Sequence, residues 1–552
     1  MGRELVLVAA MLLGVGCAAD PAGPDPSPSP ASSPAAEVTD DPVADGGGGT
    51  LVAAISGDPG SLNPAITTSG GVHTASELMF NGLVELSPDG EPVPSLAASW
   101  DVEDDGALYR FHLVEGVTWH DGEPFTADDV VYTFEEALTK LHARTAASVG
   151  NAAPTITAVD DLTVEFRFDA PYAPLLQQLN VTEAPILPRH VYGDSDLAEH
   201  PANLAPVGTG PFRFVSYTPD SEIRVARNED YFKPGLPVLD EVVLRIVPDE
   251  SSALAALERG EVDFLFGAPG PELERLRADG GYGFLQTATN PGGSNCIMTV
   301  TFNLEDELFQ DVRTRRGIAH AIDREQIVER ILFGQGRVAR APFSSGIPFA
   351  HDPDSGVPEF DPAEADRLLT EAGWVRDGDG VRVASGVEGV ADGTELAFEF
   401  LSFPTFAQYG ELLRSQLADV GIELSLRALE PPVFIETVFT ERDFDTNVIS
   451  YCNGPDPEIG IRRMYDSSNI GPIPFSNAAA YSDPEVDAGF EEGLRTVDPA
   501  QRGEVYSRVQ RILTEDLPYL WLVETESVRV FTAACRDFGE AGHFAETAVC
   551  DR

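Results

Sequence analysis

Only two lysines, Lys140 and Lys233, occur in 552 residues, so arginine supplies nearly all of the 36 basic side chains, against 91 aspartates and glutamates. The formal net charge of −55 repels polyphosphates and anionic bilayers, which excludes nucleic acid as a partner and adsorption of the protein surface to a membrane. General solvation accounts for such a surface. So does adaptation to saline or alkaline water, where counterions screen the self-repulsion. Histidine is scarce as well: the nine are scattered, and none stands at metal-ligand spacing with the five cysteines, so no metal site and no cofactor is expected. Catalytic signatures are missing too. The chain has no Gly-x-Ser-x-Gly elbow, no HExxH helix and no GxGxxG after a strand, which argues against an enzyme, an exported hydrolase included.

One long apolar run is present, residues 5–15, directly after Arg3 and directly before Gly16-Cys17. It is too short to span a bilayer and suits the core of a secretory signal. The segment resembles a bacterial lipoprotein signal, and that resemblance implies lipidation of Cys17. Residues 18–49 are Pro, Ser, Ala, Asp and Gly with almost nothing apolar, a composition that stays a solvated tether. Four cysteines remain: Cys296, Cys452, Cys535 and Cys550. In an exported protein they invite pairing, with three connectivities open. Cys535 and Cys550 bracket a short tail whose closure contributes on the order of 3 kcal/mol, and that choice leaves Cys296 for Cys452.

Beyond the tether, some 500 residues at 43% hydrophobic are too many for one core and predict two or three domains of mixed α/β type. Residues 252–258 read as a helix stopped by Gly260, with a strand over 262–266. Asp361-Pro362 with Glu364 reads as a helix N-cap, and 409–420 as a helix ended by Gly421 before the alternating strand Ile422, Leu424, Leu426. Pro88-Asp89-Gly90 and Trp119-His120-Asp121-Gly122 read as turns between extended segments.

Several longer motifs then fall in order: FNGLVELSPDGEPVPSLAASW at 80–100, GVTWHDGEPFTADDVVYTFE at 116–135, VGTGPF at 207–212, DVRTRRGIAHAIDR at 311–324, FDPAEADRLLTEAGW at 360–374 and the Asp456-Pro457 pair. Together they resemble the extracytoplasmic solute-binding proteins, family 5, of peptide, nickel and opine ABC importers. The resemblance implies a type II, cluster C-like periplasmic-binding-protein fold of α/β class, two lobes around a ligand cleft. It assigns 50–84, 207–294 and 525–552 to the first lobe, 85–206 to an extra domain and 295–524 to the second lobe. It also implies a monomer, lipid-anchored to the outer face of the bacterial cell membrane, that hands a small-molecule or peptide ligand to permease subunits. ATP would be hydrolysed by a partner, since no phosphate-binding loop occurs here. The solute expected first is an oligopeptide; oligosaccharides, opines and metal chelates are the alternatives.

By the same resemblance, the aspartate that takes a peptide's amino terminus corresponds to Asn453, within Tyr451-Cys452-Asn453-Gly454-Pro455-Asp456-Pro457. A carboxamide offers a neutral acceptor and two donors in place of a charge, at a cost of roughly 1–3 kcal/mol in amine affinity. Tyr451, Cys452, Asn453 and Asp456 therefore form one expected wall of the site, and Asn453 reads equally as a turn residue beside Gly454. Thr68, Ser69, Gly70, Gly71 and His73 form the other wall, the glycines permitting close backbone approach. Phe403, Phe406 and Tyr409 are candidates for apolar lining or for core. Arg462 and Arg463 either meet an acidic group of the ligand or pair with the protein's own carboxylates.

Overall fold

The computed structural model describes residues 48–193, 195–287, 295–539 and 543–552; the leader, Cys17 and the tether up to residue 47 lie outside the described residues. Gly48 and Gly49, expected in the tether, are already part of the fold. Gly48 N donates to Val238 O at 3.0 Å, and Gly49 O accepts from Asp240 N at 2.9 Å. Backbone groups paired in this way do not belong to a solvated spacer.

Two mixed sheets organise the chain. The first has seven strands in the spatial order Tyr282–Thr287, Ser527–Thr532, Phe264–Leu265, Thr50–Ile55, Glu241–Ile246, Glu222–Arg227 and Phe212–Thr218. Thr50–Ile55 runs parallel to both of its neighbours and is almost wholly buried, as central parallel strands are. The second sheet has six strands, Gly336–Val338, Tyr519–Thr525, Asn295–Phe302, Thr446–Asn453, Ala397–Ser402 and Glu423–Ala428. A third, antiparallel sheet contains Ala97–Glu103, Leu108–Leu113, Thr163–Arg167 and Thr155–Asp160.

The chain passes between the first two sheets side by side. Tyr519–Thr525 is followed by Ser527–Thr532 with Glu526 alone between them, and Tyr282–Thr287 precedes Asn295–Phe302. Each strand of the two crossings pairs within its own sheet, Tyr282–Thr287 with Ser527–Thr532 and Asn295–Phe302 with Tyr519–Thr525. The result is the two-lobed α/β fold expected from the sequence.

Apolar packing follows this division. The second sheet and the helices over it form one core, with Trp374, Tyr465 and Trp521 fully buried. The first and third sheets share another, which holds Leu51 and Ala53 from one and Tyr109, Phe111 and Phe166 from the other. Each buried ring contributes about 1.5–3 kcal/mol, so the third sheet is fixed to the first lobe by a common core.

Several local signals appear in their expected places. Asp361 caps the helix Pro362–Glu371, accepting from Ala363 N and Glu364 N at 3.0 Å each. The helix Ala407–Asp419 leads into the strand Glu423–Ala428. The strand expected over 262–266 shortens to Phe264–Leu265, which pair in register with Thr50–Ile55 and Ser527–Thr532.

The motifs that carry the resemblance are mostly scaffold, and three of them meet at one joint. Gly210 N donates to Met79 O, Phe212 N to Leu78 O and His120 N to Gly208 O, each at 2.9 Å, and His120 Nε2 donates to Gly210 O at 3.0 Å. A Cβ on Gly208 would stand 1.8 Å from Met79 O, so two backbones approach where no side chain fits. In the 311–324 motif, Arg324 is buried with Nη1 donating to Ala339 O at 2.7 Å and Trp521 O at 2.9 Å, and Nη2 donating to Pro358 O at 2.7 Å. That guanidinium binds loop carbonyls to the second sheet.

Candidate ligand-binding site

The third sheet and the second lobe touch, which closes one side of the space between the lobes. Ala173 N donates to Leu494 O at 2.9 Å. Gly106, at φ +94°, turns beneath Val497, where a Cβ would come within 2.2 Å of Val497 Cγ2. Tyr109 and Tyr172 lie within the field of Asp456, and burial raises both hydroxyl pKa values above the ordinary tyrosine range.

Asp456 is fully buried and forks onto Arg502, meeting Nη1 and Nη2, the latter at 2.9 Å; it also accepts from Glu458 N at 2.9 Å. This corrects its expected role at the ligand. A carboxylate that already holds a guanidinium and an amide has little acceptor capacity to offer a solute. The Asp-Pro pair instead ties its loop to the helix Pro499–Asp516.

Tyr451 is corrected from pocket lining to the core of the second lobe, where Phe403 also lies and against which half-buried Phe406 packs, the alternative the sequence allowed for both. Phe403 packs on Phe434 with ring centroids 4.5 Å apart, Phe406 meets Tyr409 at 6.1 Å, and the Tyr451 hydroxyl donates to Ser476 O at 3.3 Å. Strand alternation explains the last case: Tyr451 and Cys452 point to opposite faces of Thr446–Asn453 and do not line one wall together. Cys452 is bonded to Cys296 across the strand pair, and Cys535 to Cys550, also register partners.

Thr68 is half-buried, whereas Ser69, Gly70 and Gly71 are exposed at the start of the helix Gly70–Ser76. His73 turns inward. Its ring is 1% exposed, Nε2 donates to Thr67 O at 3.0 Å, and it meets the His142 ring edge-on at 5.9 Å. Burial first, and then the charge of Arg144, push its pKa down to about 4, so it is neutral at pH 7.

Around His73 both lobes present charge. Glu77, which caps the same helix, accepts from Thr182 Oγ1 at 2.9 Å, and burial pushes its carboxyl up to about 7 against that bond and the field of Arg529. Glu183 pairs with Arg144, Nη2 to Oε1 at 2.8 Å and Nε to Oε2 at 2.9 Å. From the second lobe, Gly454 approaches so closely that its Cβ would stand 3.4 Å from Glu183 Oε1. Asn453 is 3% exposed and opposes Asn295 in register; its Oδ1 lies against Gly460 without a hydrogen-bond partner. Asn295 Nδ2 donates to Gly454 O at 3.3 Å.

The two neighbouring arginines have different fates. Arg462 is surrounded by Glu458, Asp466 and Glu491. Arg463 donates from Nε to Gly460 O at 3.0 Å and lies in the field of Arg144. Sequence reasoning missed Glu77, Arg144, Thr182, Glu183 and Arg529. No local motif marks them, because their partners lie far along the chain, 105 residues away for Glu77 and Thr182.

Among the described residues, no group of three or more His, Cys, Asp or Glu is placed to hold a metal ion, and no helix is long and apolar enough to cross a membrane.

Residues 91–472 match the family described as bacterial extracellular solute-binding proteins, family 5, middle region. Oligopeptide-binding protein AppA of Bacillus subtilis is 28% identical over 492 residues, 86% of either chain. Heme-binding protein A of Haemophilus influenzae is 29% identical over 486 residues, 84% of either chain. Among solved structures, NikZ from Campylobacter jejuni in complex with Ni(L-His) superposes with a TM-score of 0.72 at 23% identity, over 90% of this chain and 97% of that one, a likeness of fold. With the family match spanning most of the chain and the two-lobed architecture in agreement, the chain belongs to the bacterial extracellular solute-binding proteins, family 5.

Proposed function

We propose that the chain is the capture component of an ABC importer, holding a small organic solute, an oligopeptide foremost, between its lobes and releasing it to permease subunits driven by a separate ATPase. The observation that carries this reading is the pair of adjacent crossings, one with Glu526 alone between two strands, because so short a joint lets each lobe keep its core while the lobes bend about it. The likeness to AppA favours a peptide. The likenesses to a heme-binding protein and to NikZ favour a second reading, in which the solute is a metal chelate. Lipidated Cys17 would hold the protein at the outer face of the membrane, and the tether would let a single chain, acting as a monomer, reach its permease.

A thermal-shift screen with free and N-blocked peptides, oligosaccharides, heme and nickel–histidine tests the proposal. A ligand at a hundred times its dissociation constant adds about 2.7 kcal/mol of stability. Stabilisation by peptides alone supports the first reading and by chelates alone the second; no stabilisation by any of these solutes overturns capture. Loss of labelling by a radioactive fatty acid in Cys17→Ala checks the anchor.

A further inference from the structure

We infer that two direct contacts between the lobes act as clasps and set the strength of solute capture without touching the solute. Leu494 and Val497 of the second lobe make one of them on the loops of the third sheet; Phe333 of the second lobe makes the other on Gly270 of the first. The inference rests on the solute-capture reading and adds to it the residues that hold the lobes together.

The first clasp is a plug in a socket. Leu494 lies near the end of the helix Pro484–Arg495, in the second lobe, yet its side chain packs against the core that the first and third sheets share. Its carbonyl accepts from Ala173 N at 2.9 Å. Three residues on, Val497 covers the turn between the strands Ala97–Glu103 and Leu108–Leu113. Asp104, Asp105 and Gly106 in that turn all have positive φ, 51°, 54° and 94°. A two-residue hairpin turn uses no more than two such residues, and aspartate enters this region at a cost. The turn is held from behind, with Tyr172 N donating to Gly106 O at 3.0 Å and Phe168 N to Ala107 O at 2.8 Å. Bare backbone thus lies under Val497, too close for a side chain at Gly106.

The second clasp is a single ring. Phe333 is 48% exposed and has a φ of 51°, a backbone state that bulky side chains rarely take. It lies against Gly270 at the start of the helix Gly270–Asp279, where a Cβ would come within 2.7 Å of Phe333 Cδ2 and 2.9 Å of Gln335 Nε2. Beside this contact the lobes stand apart. A groove of about 600 Å³ separates Leu273 and Arg277 of the first lobe from Val328 and Glu329 of the second. In both clasps left-handed backbone stands where the lobes meet, which ties the strain to the contact. Apolar contacts made only with the lobes together favour the closed arrangement, and a solute that needs both lobes binds in proportion to the fraction closed.

The test pairs small-angle X-ray scattering of the mature chain, without added solute, with titration by trialanine. It compares the parent with Leu494→Ser, Leu494→Met and Phe333→Gly. Leu494→Ser and Phe333→Gly are expected to raise the radius of gyration and to weaken trialanine binding about tenfold, whereas Leu494→Met should match the parent. The second lobe of Phe333→Gly, followed through Trp374 and Trp521, should melt no lower than the parent's, because glycine takes the left-handed state without strain. Unchanged scattering in Leu494→Ser and Phe333→Gly overturns the clasps and leaves solute capture standing. Raised scattering with unchanged trialanine affinity overturns their role in capture strength. If trialanine does not bind the parent, the peptide reading falls and scattering alone decides the clasps; failure of every solute in the wider screen overturns capture itself.

Discussion

Asp456→Ala separates a structural carboxylate from a ligand-binding one. The substitution leaves the Arg502 guanidinium, whose side chain is 4% exposed, in direct contact with neutral groups, Gly493 O at 2.7 Å from Nε, the Tyr506 hydroxyl at 3.0 Å from Nη2 and the rings of Phe349 and Tyr506 at 5.2 and 5.3 Å, with Glu458 still in its field. Removing one partner of such a buried pair costs about 3–5 kcal/mol, because the other charge stays behind without compensation. For a lobe of this size, roughly 2–4 °C accompany each kcal/mol, so the second lobe should melt about 6–20 °C lower. Intrinsic fluorescence reports that transition through Trp374 and Trp521, both fully buried there. The double variant Asp456→Ala/Arg502→Met should recover most of the loss, since no charge is then stranded. If Asp456→Ala melts within about 2 °C of the parent but binds solute much more weakly, the carboxylate serves the ligand after all, and its assignment to the scaffold is wrong.

Three further outcomes follow from the geometry. Burial raises the Glu77 pKa from 4.5 to about 7, so the folded state holds that proton more tightly than the unfolded chain; stability is full below about pH 4.5 and falls as pH climbs to 7, by about 1–2 kcal/mol once partial solvent contact is allowed for. Urea midpoints measured from pH 5 to 7 should decline less in Glu77→Gln than in the parent, and parallel profiles would refute the assignment. Gly208→Ala places a methyl group against Met79 O and should cost at least about 2 kcal/mol, read as a lower melting temperature of the first lobe. The disulfides Cys296–Cys452 and Cys535–Cys550, with separations of 156 and 15 residues, should contribute on the order of 5 and 3 kcal/mol by loop closure. Alkylation of the denatured, unreduced chain should label none of these four cysteines.

What was legible in the sequence was local or ordered along the chain. The cap at Asp361 needs only its own helix and the next three residues, and the alternation after Gly421 needs only one strand. The motif order pointed to two lobes because the motifs form joints within each: Gly208 and Gly210 against Met79 and Phe80 in the first, and Arg324 against the carbonyls of Ala339, Pro358 and Trp521 in the second. Those motifs said less about the solute for the same reason, since residues that fasten the segments of a lobe together are occupied by the protein. Tyr451 was misplaced, and Phe403 left open, because an aromatic residue next to a recognised segment looks the same in sequence whether its ring faces a core or a cleft.

The charges between the lobes were illegible for a different reason. In a chain with 91 acidic side chains any arginine has carboxylates nearby in sequence, so composition predicts a pair for each of them. Arg462 fulfils that expectation with Glu458 and Asp466, four residues away on either side of it. Arg463 is the adjacent residue, but a step of one along the short helix Arg462–Tyr465 turns its side chain away from those carboxylates and into the field of Arg144, which belongs to a segment more than 300 residues earlier. One residue thus separates a largely buried ion-pair network from a guanidinium without a salt bridge among the described residues. Only the packing of one lobe against the other makes that difference visible.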